Sequence, residues 1–496
     1  MTLKTQVARG LKWQAISIVG KQILSLVVFT TLARLLEPSA FGLIALVGVY
    51  LGFVSMFTDQ GIGMALIQRQ DLKPEHTDAA FWFNLGCAVI LCLGTMALAD
   101  PVSALFKEPR LAPLLRWSSL GLVIGASSEI HATLFVKAMD FRRPVIRTLI
   151  ASTAGGAVGV GMALAGCGVW SLVGQQLGTA LAGAIFLCTV STYRPSARFS
   201  LTHLRELFRV SSSVFTSSIL WFFSLRLDQI VIGRFAGIPA LGLYVVASKF
   251  PDLAKTVASQ PIVEVSLPAL SHLQSDHAKM RQAIYHGMEL NATVAFAVYV
   301  GLAVVSSDLV PLLFGAKWTA ATGLCSLLSI YALIMTLQVF VFPTLLASGG
   351  VGRYVILNVW QTIGILVACL VGIQFGVAYL VVGLIVNGLI ISIPALLFLR
   401  QRIGLSPLSY CRPCLAPALA SLCMVGMVWL TAALVPKAIL PVLLLACKIM
   451  VGAAAYLGFM LIFRRATLIK LLDMVGHGIG LSSPMPSAIK PSLADH

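Results

Sequence analysis

The amino-acid sequence predicts an all-α polytopic membrane protein with about fourteen transmembrane helices. Three observations support this fold class. Hydrophobic residues make up 58% of the 496 positions and charged residues only 11%, proportions that exclude an ordinary soluble domain. Apolar stretches of about 20 residues, long enough to cross a bilayer, recur from Trp13 to Phe463. The basic residues are concentrated in alternate loops, as in multi-pass membrane proteins.

The apolar stretches predict the membrane-spanning helices in chain order. The approximate spans are 12–36, 40–58, 79–99, 113–136, 145–165, 169–191, 207–233, 238–262, 283–305, 319–346, 354–374, 377–399, 413–434 and 440–463. The seventh and eighth spans are interrupted by polar residues, so their ends are the hardest to place.

A recurrence at an offset of 200 positions indicates an internal duplication. The identical pairs are Arg34 and Arg234, Ala40 and Ala240, Gly42 and Gly242, Leu43 and Leu243, Gln60 and Gln260, and Ile62 and Ile262. Each copy has an arginine, a turn containing proline, and Gly-Leu at the start of the next apolar stretch. A duplicated pair of helices is the simplest interpretation, and many membrane transporters are built from such repeats.

The positive-inside rule accounts for the formal net charge of +17 without a nucleic-acid partner. With a cytosolic N-terminus, the majority of the 35 lysines and arginines fall in cytosolic segments, and the C-terminus is cytosolic as well. The first span then acts as a retained signal anchor. We expect the loop that carries Lys137, Arg142, Arg143 and Arg147 to contact anionic lipid headgroups.

The sequence predicts no catalytic residue, no metal site and no bound cofactor. Cys411 and Cys414 form a C-x-x-C, but no second cysteine pair or nearby histidine completes a zinc site. No Walker loop for ATP is present.

A polar stripe in the first span brings a charge close to the middle of the membrane. Gln14, Ser17, Lys21 and Ser25 recur every three to four residues and therefore share one helix face. A lysine at the bilayer centre costs about 2.5 to 3.5 kcal/mol on an insertion scale, which favours a position lining a cavity. The alternative is that Lys21 snorkels to the interface or pairs with a structural carboxylate.

The densest cluster of charges lies on the eighth span. Lys249, Asp252 and Lys255 recur every three residues, so they share one face of a helix. Arg226 and Asp228 precede them on the seventh span, two residues apart and on roughly opposite sides.

Together with Lys21, the bases Arg226, Lys249 and Lys255 predict a cationic cavity suited to a pyrophosphate, because ammonium and guanidinium groups bind phosphate oxygens strongly where water is scarce. The alternative is a structural network in which Asp228 and Asp252 neutralise these bases.

Asp228, Asp252 and Glu264 are the candidates for ion coupling. A carboxylate in a partly dry cavity can bind a proton or a sodium ion, as an ion-coupled carrier requires. We therefore expect proton or sodium coupling as a hypothesis, with a solvated position at the end of the eighth span as the alternative for Glu264.

Five stretches carry a resemblance to a known family: ARLLEPSAFGLIAL, FTDQGIGMALIQRQDLKPEHTDAAFWFNL, VKAMDFRRPVIRTLIA, GVWSLVGQQL and LRLDQIVIGRFAGIPALGLYVVASKF. In this order and spacing the chain resembles Wzx-type polysaccharide and O-antigen flippases, nearest to the colanic acid exporter branch. These belong to the multidrug, oligosaccharidyl-lipid and polysaccharide exporter (MOP) superfamily. The resemblance covers roughly residues 5 to 400.

The resemblance implies two pseudo-symmetric six-helix lobes around a central cavity, at 1–200 and 201–405, then a helix pair at 406–465 and a cytosolic tail at 466–496. It implies a non-enzymatic flippase in the bacterial inner membrane that translocates undecaprenyl-pyrophosphate-linked oligosaccharides for lipopolysaccharide or exopolysaccharide synthesis. The implied partners are the lipid-linked oligosaccharide, membrane lipids, and a polysaccharide polymerase with its chain-length machinery. Two alternatives are a membrane-embedded polymerase or glycosyltransferase, and a cation-coupled drug exporter.

Overall fold

The computed structural model describes residues 20–59, 62–196, 222–256, 266–267, 269–274, 276–435 and 440–478. Within these ranges every regular element is a helix and no strand occurs. The all-α class predicted from composition is therefore confirmed.

The helices are numbered here in chain order. They are α1 (20–35), α2 (Pro38–Asp59), α3 (Ile62–Gln68), α4 (Pro74–Phe106), α5 (Leu111–Lys137), α6 (Arg142–Leu164), α7 (Trp170–Val190), α8 (222–231, followed by a π-helical turn at Ile232–Ala236), α9 (Ile238–Ala254), α10 (His277–Phe314), α11 (Thr322–Leu337), α12 (Val341–Ala347), α13 (Val351–Gly372), α14 (Val377–Ile403), α15 (Pro407–Cys411), α16 (Leu415–Leu434) and α17 (Pro441–Gly478).

Eleven helical segments in the described ranges are long and apolar enough to cross a membrane, which establishes a multi-pass membrane protein. They correspond to eleven of the predicted spans. The remaining three, at 12–36, 207–233 and 238–262, are only partly described, so a total of about fourteen stays a prediction.

Helix α4 illustrates how local sequence sets a helix boundary. Pro74 occupies the first turn, where its missing N–H removes no helical hydrogen bond, and Glu75 lies at the positive end of the helix dipole. The helix ends where Lys107 adopts a left-handed backbone conformation with φ 55°.

The described helices divide into two compact units. Unit 1 comprises the described residues of Met1–Leu253, Ser306–Tyr331 and Val355–Ile391, and unit 2 those of Ala254–Val305, Ala332–Tyr354 and Ser392–His496.

In unit 1, a buried carboxylate fixes the segment that leaves α7. Asp78 of α4 accepts hydrogen bonds from the Tyr193 hydroxyl at 2.7 Å, from the Ser196 backbone N–H at 3.3 Å and from the Ser196 hydroxyl. Trp82 donates to the Ser196 carbonyl at 2.7 Å. The chain is thus held against α4 just before it continues towards the second predicted lobe.

The two copies of the sequence repeat meet inside unit 1. A Cβ atom added to Gly42 of α2 would overlap the carbonyl of Ile238, and one added to Gly242 of α9 would overlap the carbonyl of Pro38. The first turn of each helix therefore lies directly on the glycine of the other, an approach that only a residue without a side chain permits.

Beside this crossing, α1 and α10 are joined end to end by a side chain from the repeat. The Arg34 guanidinium donates to the Leu313 carbonyl at 2.8 Å and to the Leu312 carbonyl at 2.7 Å. These carbonyls belong to the last turn of α10, where no intrahelical donor is available and the helix dipole is negative.

The reverse contact is made from the segment that follows α10. Lys317 donates to the carbonyls of Arg34 and Leu36 at 2.8 and 2.7 Å, and Trp318 donates to that of Ala33 at 2.8 Å. Each helix end thus has its carbonyls satisfied by donors attached to the other. We refer to Arg34, Lys317 and Trp318 as the reciprocal cap.

Unit 2 contains the last two helices packed on α10. Met424 and Val428 of α16 form a buried cluster with Tyr456 and Met460 of α17. The Tyr456 hydroxyl donates to the Thr293 carbonyl of α10 at 2.7 Å.

Helix α17 bends at Arg464, which has non-helical dihedral angles of φ −145° and ψ 42°. Next to the bend, Glu289 of α10 accepts a hydrogen bond from Thr467 at 2.7 Å and pairs with Arg464 at 3.4 Å. A basic pair therefore marks the end of the last apolar stretch.

Candidate functional site

Unit 1 contains a partly open cavity of about 590 Å³ lined by α1, α2, α6, α7 and α9. This volume lies within the range of sites that bind small molecules or cofactors. The polar lining residues are Lys21, Arg147, Thr148, Ser152, Gln175, Gln176 and Thr179, and the larger apolar ones are Phe29, Phe41, Ile44, Leu172 and Val245. A mixed wall of this kind inside apolar helices can accommodate a polar molecule.

Glycines in α6 determine how close α7 comes to it. A Cβ on Gly155 would overlap Thr179, and one on Gly159 would lie 2.7 Å from Cβ of Gln175. Because these positions have no side chain, α7 packs directly on α6 and sets Gln175 and Thr179 beside the cavity. The small residues of the fifth span are therefore a packing device for the cavity wall.

Arg147 occupies a position that the sequence did not predict. We expected it at lipid headgroups, whereas it lies in the second turn of α6 and lines the cavity. A Cβ on Gly183 of α7 would lie 3.1 Å from Nε of Arg147, so the guanidinium rests against this glycine. Glu129 lies within electrostatic range. The sequence did contain one sign of this position, because Arg147 lies two residues inside the predicted span 145–165.

Two of the predicted bases lie at α1: Lys21 belongs to this helix, and Lys249 of α9 contacts it. Lys21 lines the cavity, and one turn further along α1 the Ser25 hydroxyl accepts a hydrogen bond from Lys249 at 3.1 Å. The Lys249 ammonium also lies 4.8 Å from the ring centroid of Phe29, a cation–π distance. Phe29 itself lines the cavity, so Lys249 lies directly behind this wall.

The predicted residues of the seventh span have different environments. The half-buried Asp228 accepts hydrogen bonds from the Tyr244 hydroxyl and, at 2.8 Å, from the Gln229 backbone N–H. Arg226 is exposed and lies within electrostatic range of Asp228, outside the lining of the cavity.

At the end of α9, Asp252 and Lys255 are both exposed. Asp252 lies within electrostatic range of Lys249 and Asp228. Neither residue lines the cavity. Glu264, the third candidate for ion coupling, lies outside the described residues.

Aromatic rings pack beside the cavity, towards the end of α1 that the topology predicts to be external. Phe29 and Phe41, both lining residues, have ring centroids 5.3 Å apart; Phe29 is 5.5 Å from Phe314, and Phe41 is 5.4 Å from the buried Trp318. Phe250 stacks on Phe314 at 5.2 Å. We call these five residues the aromatic layer; Phe29 and Phe41 border the cavity, and Trp318 is shared with the reciprocal cap.

Among the residues that the structure describes, no group of three or more His, Cys, Asp or Glu side chains is arranged to hold a metal ion. The polar groups assembled around the cavity are instead cations, amides and hydroxyls.

Comparison with curated proteins gives relatives named for polysaccharide synthesis. The chain is 29% identical to the succinoglycan biosynthesis transport protein ExoT of Rhizobium meliloti (strain 1021), over 72% of each chain. It is 27% identical to the lipopolysaccharide biosynthesis protein WzxC of Escherichia coli (strain K12), over 75% of this chain and 76% of that one. The teichuronic acid biosynthesis protein TuaB of Bacillus subtilis (strain 168) is 22% identical over 70% and 72% of the two chains.

Solved structures with a similar fold are transporters. The lipid II flippase MurJ in an inward closed conformation matches with a TM-score of 0.75 at 15% identity, covering 92% of this chain and 99% of MurJ. An inward-facing multidrug resistance MATE family transporter of the MOP superfamily matches with a TM-score of 0.61 at 15% identity, covering 77% and 94%. The superfamily fold predicted from the sequence is therefore confirmed.

The family model described as polysaccharide biosynthesis protein matches residues 31–323, which include α2 to α9 and the reciprocal cap. This match covers more than half of the chain, and the curated relatives agree with it. The chain belongs to the polysaccharide biosynthesis protein family.

Proposed function

We propose that this chain is a flippase that moves an oligosaccharide linked to undecaprenyl pyrophosphate across a bacterial inner membrane by alternating access. The observation that carries the proposal is a cavity of mixed polarity inside a bundle of apolar helices, with the cations Lys21 and Arg147 in its lining and Lys249 behind it. Family membership and the fold shared with a lipid II flippase support it.

The charges suit a cargo whose polar part is anionic. Lys21 and Lys249 lie on or beside one face of α1, and like charges in a low-dielectric site are stabilised by an anion between them. A pyrophosphate supplies such an anion, while the polyprenyl tail remains in the lipid. Arg226 and Lys255, which are exposed, serve in this proposal as further contacts during entry or release.

Alternating access requires that one end of the pathway be closed while the other is open. The crossing of Gly42 and Gly242, the aromatic layer and the reciprocal cap close the predicted external end. Release of the cargo on that side requires these contacts to separate. This proposal includes no chemical step, no metal and no cofactor.

Several finer points belong to the same proposal. Proton or sodium movement drives the cycle through Asp228, Asp252 or Glu264. Both termini are cytosolic, and a polymerase with its chain-length machinery takes the product on the other side. The assay described next includes imposed proton and sodium gradients; transport that responds to neither gradient argues against ion coupling.

The test uses Lys249→Ala and Lys255→Ala in proteoliposomes that contain a fluorescent undecaprenyl-pyrophosphate-linked oligosaccharide. Losing a hydrogen bond to a charged group costs about 1.5 to 3 kcal/mol, so we expect about a ten- to hundredfold slower flipping for Lys249→Ala. The readout is the fraction of glycan accessible to a quencher outside the vesicles. Lys249→Arg, which keeps the charge, should retain most of the activity.

The matched control is Lys279→Ala, which removes an exposed lysine next to Asp276 on the outside of unit 2. Normal flipping by the Lys249→Ala, Lys255→Ala double variant, present at wild-type levels in the membrane, contradicts the role given to these bases. A purified protein that lengthens or modifies the glycan favours the enzyme alternative, and one that moves lipophilic cations but no glycan favours the drug exporter.

A further inference from the structure

Among the described residues, two amides and a guanidinium in the cavity wall have unused hydrogen-bonding groups, although Glu129 lies within electrostatic range of Arg147. In the described parts of the chain, no residue forms a side-chain hydrogen bond with Arg147, Gln175 or Gln176. The neighbouring hydroxyls differ, because Thr148 donates to the Pro144 carbonyl at 2.9 Å and Thr179 to the Gln175 carbonyl at 2.7 Å, both within their own helices.

Such groups are costly within a membrane-spanning helix unless they meet a polar partner. A glutamine amide offers two donors and an acceptor, and an arginine offers a planar fork of donors that fits an oxyanion. Gln175 and Gln176 line the cavity, so their partner is whatever occupies it. An acyl chain would leave the amides unsatisfied, whereas a hydroxylated molecule would satisfy them.

The three side chains are spread along the cavity. Arg147 rests against Gly183, and Gln175 lies eight residues earlier in α7, a distance of about 12 Å along the helix axis. Lys21, nine residues into the predicted first span 12–36, lies in the same predicted cytosolic half of the membrane as Arg147. The cavity therefore has a cationic end near its predicted entrance and an amide end deeper inside, a length that suits sugars better than a phosphate alone.

We propose that this wall is a glycan-recognition subsite, an inference that rests on the proposed flippase function. Gln175 and Gln176 bind sugar hydroxyls, and Arg147 binds an oxyanion of the cargo, which is either a sugar carboxylate or the pyrophosphate. Phe29 of α1 and Phe41 of α2, which also line the cavity, provide apolar ring faces against which a pyranose can pack. The subsite binds the first sugars of the cargo and so contributes to the selectivity of the flippase among glycans.

The experiment measures binding to the full chain in lipid nanodiscs by native mass spectrometry. The three probes are undecaprenyl pyrophosphate alone, the same lipid carrying glucose, and the same lipid carrying a glucuronosyl-glucose disaccharide. We expect Gln175→Leu and Gln176→Leu each to weaken binding of both glycan-bearing probes about tenfold, the loss of one good hydrogen bond, and to leave the bare lipid unchanged.

Arg147→Gln distinguishes the two sources of the oxyanion. If Arg147 binds a sugar carboxylate, only the glucuronosyl probe binds about tenfold more weakly; if it binds the pyrophosphate, all three probes do. The matched controls are Arg143→Gln and Gln374→Leu. Arg143 is an exposed arginine of α6 that pairs with Asp140 in the preceding loop, and Gln374 is an exposed glutamine outside the cavity lining. Both controls should bind every probe as the wild type does.

Unchanged binding of all three probes by the glutamine variants, at unchanged melting temperature, overturns the subsite even when the wild type flips glycan normally. A wild-type protein that flips no lipid-linked glycan overturns the proposed function, and the subsite with it. Where a leucine variant does not fold, Gln175→Asn or Gln176→Asn is used instead. Asparagine is one methylene shorter, so its amide no longer reaches the sugar, and the same loss of glycan binding is expected.

Discussion

At the scale of single residues, Asp78 is a buried carboxylate whose hydrogen bonds to hydroxyls and an N–H should contribute to the stability of the fold. Its side chain is buried and accepts bonds from Tyr193 and from two groups of Ser196. Replacing it with alanine removes a charged acceptor from the half-buried Tyr193 hydroxyl and from two donors of the exposed Ser196. We expect Asp78→Ala to lower the unfolding free energy by about 2 to 3 kcal/mol, measured by thermal melting of purified protein.

The control is Asp100→Ala on the same helix, where the carboxylate is exposed and pairs with Arg116 at 2.6 Å. An exposed ion pair contributes about 0 to 1 kcal/mol, so the melting temperature should barely change. Equal melting of the two variants would show that the contacts of Asp78 add no stability. Cleavage by a protease within 191–196 should increase for Asp78→Ala alone.

Tyr193 adds a pH dependence to the same contact. Burial and, secondly, its hydrogen bond to Asp78 raise the pKa of Tyr193 above the ordinary value of about 10. The folded state therefore favours the protonated phenol. Its stabilising effect is complete below about pH 10 and is lost as the pH rises further. The difference in melting temperature between wild type and Tyr193→Phe should shrink above that pH.

Sequence reasoning at this scale singled out Lys21, which lines the cavity, and Lys249, which lies behind it, but not the other polar residues of the wall. Lys21 and Ser25 were placed on one face by their spacing, which a helix imposes. Arg147, Gln175 and Gln176 also lie in apolar spans, but their relevance depends on Gly155, Gly159 and Gly183, which bring α6 and α7 together. The periodicity of a sequence predicts which residues share one face of a helix. It does not predict which other helix packs against that face.

At the scale of helices, the contact of Gly42 with α9 and of Gly242 with α2 yields a sharp prediction. A methyl group at either glycine overlaps a backbone carbonyl, so α2 and α9 must move apart. We expect Gly42→Ala or Gly242→Ala to destabilise the protein by about 1 to 3 kcal/mol, the usual cost of overpacking. Thermal melting measures this change.

Gly48→Ala is the matched control, because it lies on α2 and a Cβ there meets nothing within 4 Å. That variant should be neutral or more stable by up to about 1 kcal/mol, since alanine favours a helix over glycine. The double variant at 42 and 242 should cost less than the sum of the two, because helices already parted by one methyl make room for the second. Full additivity would contradict a shared contact.

The helices themselves were largely predictable, and their partners were not. The predicted spans 40–58 and 377–399 agree with α2 and α14 to within a few residues, because apolar length alone defines a crossing. The repeat indicated two similar helix pairs, and the structure adds that the copies touch at their glycines. Contact between residues 200 positions apart has no signature in the periodicity of either helix.

At the scale of the whole molecule, the reciprocal cap is the contact whose loss should change the working state. Arg34 and Lys317 connect α1 to the end of α10 through four hydrogen bonds to main-chain carbonyls. We expect the double variant Arg34→Ala, Lys317→Ala to spend more time open at the predicted external end. Labelling of Ile44→Cys, in the cavity lining, by an impermeant maleimide should rise severalfold in a background without the native cysteines.

Arg116→Ala, at an exposed arginine paired with Asp100, serves as the control and should label as the parent does. Equal labelling of the double variant and its parent would contradict a role of the reciprocal cap in closing that end. The contact could not be foreseen from the sequence, since its acceptors are backbone groups that any residue supplies. Among the three donor residues of the reciprocal cap, only Arg34 belongs to the sequence repeat.

The aromatic layer also has an electrical consequence. The five rings pack together towards the predicted external end, and the Trp318 N–H already donates to the Ala33 carbonyl. In the proposed topology, where the cavity opens to the cytosol, an apolar layer of low dielectric constant takes most of the membrane voltage, and Lys21 and Arg147 stay close to the potential of the cytosol. A bound anionic cargo then crosses the voltage only when the rings part. In a cell with a negative interior, each negative charge carried outward gains about 2.3 kcal/mol per 100 mV at that step.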